Sequence, residues 1–149
     1  MGQADASILI PVSLAEVWGL YFDQRGWGTW VDGFGGVDSG EGYPEAGSTL
    51  RWHSNPAGRG AVEERVLVHE PRRFHRVAFS DQHSEGELSV RFEIEGDGTR
   101  VTQEFSYRVL GGGPLGPLTD RLFIRSQVRG SLERSLEGLR HAAEELSAR

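Results

Sequence analysis

From Gly86 to Val109 apolar and polar residues alternate with a single interruption, and a period of two over that length specifies an antiparallel hairpin. Leu88, Val90, Phe92 and Ile94 share one face, opposite Glu87, Ser89, Arg91 and Glu93. Gly96-Asp97-Gly98 is a tight-turn signal. Beyond it Val101, Gln103, Phe105, Tyr107 and Val109 alternate against Arg100, Thr102, Glu104, Ser106 and Arg108. The same punctuation continues upstream, predicting strands at Ser48–Ser54, Gly60–Glu70 and Arg72–Ser80. Turns fall at Asn55-Pro56-Ala57-Gly58, at Pro71 and over Asp81–Glu85. The Gly-rich stretch Phe34–Gly47 holds one further short strand and a loop. At the start, Ala4–Ile10 reads as a strand ended by Pro11. Ser13 then caps a short helix, with Glu16 completing a capping box and Leu14, Val17, Trp18 and Tyr21 at helical spacing. Gly26–Val31 is a second helical turn.

After Gly111-Gly112-Gly113-Pro114 the periodicity changes. Leu118, Leu122, Arg125, Arg129, Leu132, Leu136, Leu139, Ala143 and Leu146 recur at three- and four-residue steps, the stripe of one long amphipathic helix beginning near Leu115 to Leu118. Gly130 and Gly138 each weaken it by roughly 1 kcal/mol relative to Ala. The expected fold is α+β: a curved antiparallel sheet of six to seven strands wrapped around a long C-terminal helix, with two short helices after the first strand. One helix is too narrow to cover so large a sheet, so a strongly curved sheet is expected to leave a cavity between the two.

Composition narrows the function classes. The 149 residues suit one domain, expected to span 1–149, and no internal repeat is visible. Zero Cys removes disulfides, thiolate metal sites and a Cys nucleophile. A net charge of −6 argues against a nucleic-acid surface. No stretch has the apolar length of a membrane span, and Met1–Ile10 lacks the features of a secretory signal, so a cytoplasmic location is expected. No phosphate-binding loop or Gly-x-Ser-x-Gly elbow is present. Of the five His, only His69 and His75, six apart across a predicted turn, stand where an ion could be shared; no cofactor or metal is expected.

Ile8-Leu9-Ile10-Pro11-Val12-Ser13-Leu14-Ala15-Glu16-Val17-Trp18, then Asp23 with Trp27-Gly28-Thr29-Trp30, then Gly113-Pro114-Leu115-Gly116 leading into Leu122-Phe123 carry a likeness to a known family. In these segments and in element order the chain resembles the START-like, helix-grip (SRPBCC) superfamily, and within it the bacterial polyketide cyclase/dehydrase-type group. The resemblance implies an internal ligand cavity; members include lipid carriers, hormone receptors and aromatase/cyclases. Aromatase/cyclase members place Arg with small polar groups on a cavity-facing strand, where this chain reads Leu50-Arg51-Trp52-His53-Ser54.

Strand parity supplies the candidate site. Val62, Glu64, Val66 and Val68 fall on one side of their strand, and Arg73, His75, Val77 and Phe79 on one side of the next. Gln103 lies among Val101, Phe105 and Tyr107. Inward polar groups either satisfy one another or line a pocket. Trp18 is expected in the core, whereas Trp27, Trp30 and Trp52 are either core or pocket wall. Arg72, Arg73 and Arg76 read as a solvated strand edge, while Arg125 and Arg129 lie near the helix stripe. The expected pocket comprises Trp30, Trp52, Glu64, His75, Phe79, Phe92, Gln103, Phe105, Tyr107, Leu122 and Ser126. Its expected occupant is a small hydrophobic or amphipathic molecule. The alternative is a polyketide cyclase/dehydratase-like enzyme with Glu64 and His75 as acid/base groups, and the reading leaves a homodimer open.

Overall fold

Ser13 separates the first strand from the first helix, as its Oγ accepts the Glu16 N–H at 3.4 Å and donates to the Glu16 carboxylate at 3.0 Å. The capping pair is therefore present, although Glu16 meets the Ser13 hydroxyl rather than its backbone N–H. The computed structural model describes residues 2–110 and 117–149, with side chains from 122 onward in the second stretch. In chain order the elements are β1 (Gly2–Ile10), α1 (Leu14–Tyr21), a single 3-10 turn (Gln24–Gly26), α2 (Trp27–Trp30) and β2 (Phe34–Ser39). There follow β3 (Thr49–Ser54), β4 (Ala61–Glu70), β5 (Phe74–Ser80), β6 (Ser84–Glu95), β7 (Gly98–Val109) and α3 (Pro117–Ser147). The resemblance carried by Gly113-Pro114-Leu115-Gly116 falls outside the described residues.

Seven strands form one antiparallel sheet in the order β1-β7-β6-β5-β4-β3-β2. Each strand from β2 to β7 is the neighbour of the next, joined by turns except for the loop over residues 40–48 between β2 and β3. β1 closes the far edge against β7, in register from Gly2 opposite Tyr107 to Ile10 opposite Thr99. The α1–α2 segment thus crosses from one sheet edge to the other. α3 packs chiefly on β1 and α2, burying Leu132, Leu136, Leu139 and Ala143 in a core shared with Ile10, Val17, Leu50, Val90, Phe92 and Val101. This is a curved sheet gripping a long C-terminal helix, the helix-grip arrangement of the START fold.

Three expectations about faces need correction. The β4–β5 register shifts between Val66, opposite Val77, and Val68, opposite Arg76. One extra residue in a strand reverses parity beyond it, so Val68 joins the outer face and His69 turns inward opposite His75. Arg73 precedes β5 and is exposed, paired to Glu70, rather than sharing the face of His75. Along α3 the inward residues ahead of Leu132 are Ile124 and Val128; Arg125 and Arg129 are exposed, as are Leu122 and Leu146. Ile94 also faces solvent, at the far end of the β6–β7 hairpin.

Candidate functional site

Between the inner face of the sheet, α2 and residues 124–135 of α3 lies a cavity of about 480 Å³, within the size range of small-molecule sites. The strands supply its floor: Trp52 from β3, Glu64 from β4, His75 and Val77 from β5, Leu88 and Val90 from β6, and Gln103, Phe105, Tyr107 and Val109 from β7. The short helices and β2 supply one wall through Tyr21, Trp27, Trp30 and Phe34, with Tyr43 from the following loop. α3 roofs it with Ile124, Gln127, Val128, Ser131, Leu132 and Ser135. The Asp32 clasp ties wall to roof: its backbone N–H donates to Ser135 Oγ at 2.9 Å, and its carboxylate accepts from Ser131 Oγ at 2.9 Å and from Arg134 at 3.2 Å.

Polar side chains at this cavity are held in specific ways. Trp52 Nε1 donates to Glu64 Oε2 at 2.7 Å. Burial pushes the Glu64 carboxyl above the usual carboxylate range, with the Trp52 bond and the Arg59 charge pulling the other way. Gln103 Nε2 donates to the Tyr21 hydroxyl at 2.9 Å. Burial raises the Tyr21 hydroxyl despite that bond, and raises that of Tyr43, where the Glu64 charge adds to the effect. The inward turn of His69 puts its Nδ1 3.0 Å from His75 Nδ1, one ring nitrogen donating to the other. Burial, and secondarily His69, bring His75 from 6.5 down to about 3, so it is neutral near pH 7. Among the described residues no three His, Asp or Glu side chains gather as a metal site.

Arg59 supplies the guanidinium on the described lining. It lies in the turn between β3 and β4, with Nε donating to Asp81 Oδ2 at 2.8 Å. Its Cζ sits 5.0 Å from the Phe79 ring centre, 5.5 Å from that of Trp52 and 5.8 Å from that of Phe105. The Asp81 side chain is only 2% exposed. Burial alone would raise its carboxyl, yet hydrogen bonds from the His83 and Ser84 backbone and from Arg59 hold it below the usual range. Among the described residues four buried side-chain polar atoms have no partner: Trp30 Nε1, Arg59 Nη2, His75 Nε2 and Gln103 Oε1. All four belong to residues that line the cavity.

Of the residues expected from the sequence, Trp30, Trp52, Glu64, His75, Gln103, Phe105 and Tyr107 line this cavity together. Phe79 stands behind the wall, stacked on Phe105 at 4.6 Å. It reaches Phe105 across the β6 position held by Gly86, which pairs with both Phe79 and Tyr107. Phe92 lies deeper, packed against Trp18 and Tyr21 in the core. Leu122, 70% exposed, and Ser126 do not reach the cavity, because the inward stripe of α3 runs through Ile124 and Val128. On β3, Arg51 and His53 point outward to Glu63 and Asp38. Arg59, Asp81, Phe34 and Tyr43 were not anticipated: they sit in turns or in an irregular strand, where parity gives no signal. An Arg just after a strand that carries Trp52 is the one cue the sequence offers for Arg59.

The comparisons with known proteins agree with this architecture. A crystal structure of a protein from Thermus thermophilus matches at a TM-score of 0.74 and 22% identity, covering 97% of this chain and 99% of that one. A START superfamily protein from Mycobacterium smegmatis matches at 0.77 with 12% identity over 98% and 99%. The Zhui aromatase/cyclase from Streptomyces sp. R1128 matches at 0.75 with 16% identity over 95% and 93%. At such identities the likeness is one of fold. No curated protein sequence matches the chain. No helix among the described residues is long and apolar enough to cross a membrane. The family model for polyketide cyclase / dehydrase and lipid transport matches residues 1–144, and the chain belongs to that family.

Proposed function

We propose that this chain is a single binding domain that holds a small, mostly apolar molecule in the cavity beneath α3. One observation carries the reading: the four buried side-chain polar atoms without a partner among the described residues all belong to residues lining one aromatic-walled cavity. A buried donor or acceptor left unmade costs roughly 1–3 kcal/mol, and four gathered at one cavity are explained by a ligand, or water, that completes them. The pattern fits a ligand with an apolar body and a few polar atoms, the usual character of small-molecule sites. The test is native mass spectrometry of the purified protein, followed by titration with aromatic and fatty ligands read by tryptophan fluorescence. Saturable quenching at one equivalent is expected, since Trp27, Trp30 and Trp52 line the cavity. Absence of saturable quenching across the whole panel overturns the reading.

A second reading, a cyclase or dehydratase acting on a polyketide-like substrate, is favoured by one feature. Glu64, its carboxyl raised by burial, and neutral His75 both line the cavity, a carboxyl and an imidazole of the types that general acid–base catalysis uses. Product formation from a poly-β-keto thioester, lost in Glu64→Gln, would establish it. Stoichiometric binding without turnover sustains the carrier.

A further inference from the structure

One end of the cavity has a chemistry the apolar-ligand reading does not use. Ring contacts run from Tyr43 to Trp27 (5.6 Å, 83° between planes), from Trp27 to Phe34 (5.9 Å, 84°) and from Phe34 to Trp52 (5.7 Å). Trp52 then donates to the Glu64 carboxylate at 2.7 Å. Four rings and one carboxylate thus form a continuous run of contacts from Tyr43 to Glu64, and all five line the cavity. The near-perpendicular planes turn ring faces in several directions around one end of the space. Aromatic faces carry negative potential and attract cations.

The ionic inventory points the same way. Among the described residues the acids lining the cavity are Asp32, Glu64 and Asp81. Asp32 is paired with Arg134 and Asp81 with Arg59. Among the described residues Glu64 has no cation at salt-bridge distance, although the Arg59 charge acts on it from beside Trp52, 5.5 Å from that ring centre; no Arg lies over the faces of Trp27, Phe34 or Tyr43. Arg59 is the only Arg on the described lining; its Nε is bound to Asp81 while its Nη2 has no partner, and an anionic ligand there would also meet two carboxylates.

We propose that the end of the cavity enclosed by Trp27, Phe34, Tyr43, Trp52 and Glu64 is a subsite for a positively charged group, an amine or alkylated ammonium, carried by the ligand. The proposal rests on the reading that this cavity binds a small molecule, and the experiment separates the two. Three probes share one tail and differ only in the head: decyltrimethylammonium, decanol and decanoate, the ions kept below their micellar concentrations and decanol below its solubility limit, each titrated by calorimetry into the full chain. The cation is expected to bind about tenfold more tightly than decanol, with decanoate weakest. Glu64→Gln, which keeps an acceptor for Trp52, should bring the ratio of cation to decanol affinity toward one. An independent readout needs no variant: the N-methyl proton resonances shift upfield on binding, because they enter the shielding region of the rings. Equal affinity for the three probes, or preference for decanoate, overturns the cation subsite while leaving the cavity reading intact. An unshifted N-methyl resonance on a bound probe overturns the subsite as well. Failure of all three probes to bind overturns both.

Discussion

His75 shows how one residue ties burial to solution behaviour. Packed against Phe22, Tyr43 and His69, it has its pKa held near 3 instead of 6.5. Between those values the unfolded chain binds a proton that the folded chain does not. The stability lost is therefore nil above about pH 6.5 and grows as pH falls toward 3. At pH 5 the loss is about 2 kcal/mol. Chemical denaturation at pH 7, 6 and 5 should show it, and His75→Gln should flatten the profile over that window. An identical slope in the variant would assign the acid sensitivity to other groups. His69 is also depressed by burial and contributes in the same direction, whereas the raised Glu64 carboxyl works oppositely. His75 was readable from strand parity, as was Gln103. His69 was not, because a bulge between Val66 and Val68 reverses parity with no Gly or Pro to announce it.

At the scale of elements, α3 decides the most. Leu136 and Leu139 are fully buried, so Leu136→Ala should cost about 2–5 kcal/mol, the range for core truncation. Leu122→Ala should stay within about 0.5 kcal/mol, since that side chain is exposed. Thermal or urea denaturation of the pair measures where the stripe lies. The two helix glycines, equivalent by propensity, separate in the same way. A Cβ at Gly138 would meet the Trp30 carbonyl oxygen at 2.9 Å, whereas at Gly130 it meets only the tip of the Arg134 side chain at 3.1 Å. Gly138→Ala should therefore lose about 1–3 kcal/mol through forced separation of α2 and α3. Gly130→Ala should gain up to about 1 kcal/mol from helix propensity. Matching shifts in the two unfolding midpoints would contradict the close α2–α3 contact. Propensity alone could not rank these glycines, because the distinction lies in what another element brings against them.

For the whole molecule the cavity is the distinguishing feature, and ligand occupancy should be visible as stability. A ligand present at a hundred times its Kd adds about 2.7 kcal/mol to folding, so the unfolding midpoint should rise steadily with decyltrimethylammonium concentration. An unchanged midpoint at concentrations that saturate calorimetric binding would mean the probe sits elsewhere or binds the unfolded chain equally. The sheet, its antiparallel neighbours from β2 to β7 and the long last helix were legible in the amino-acid order, because period-two and period-3.6 patterns with Gly and Pro punctuation are local properties of a chain. The phase of α3 ahead of Leu132 was not: counting back by three and then four reaches Arg129 and Arg125, counting back by four twice reaches Val128 and Ile124, and only the packing partner selects between them. Nor could a local pattern show that the turn residues Arg59 and Asp81 meet at 2.8 Å, or that Trp27, Phe34, Tyr43 and Trp52 converge on Glu64. Those contacts join segments whose conformations carry no periodicity, and sheet curvature, acting on the whole chain at once, brings them to one cavity.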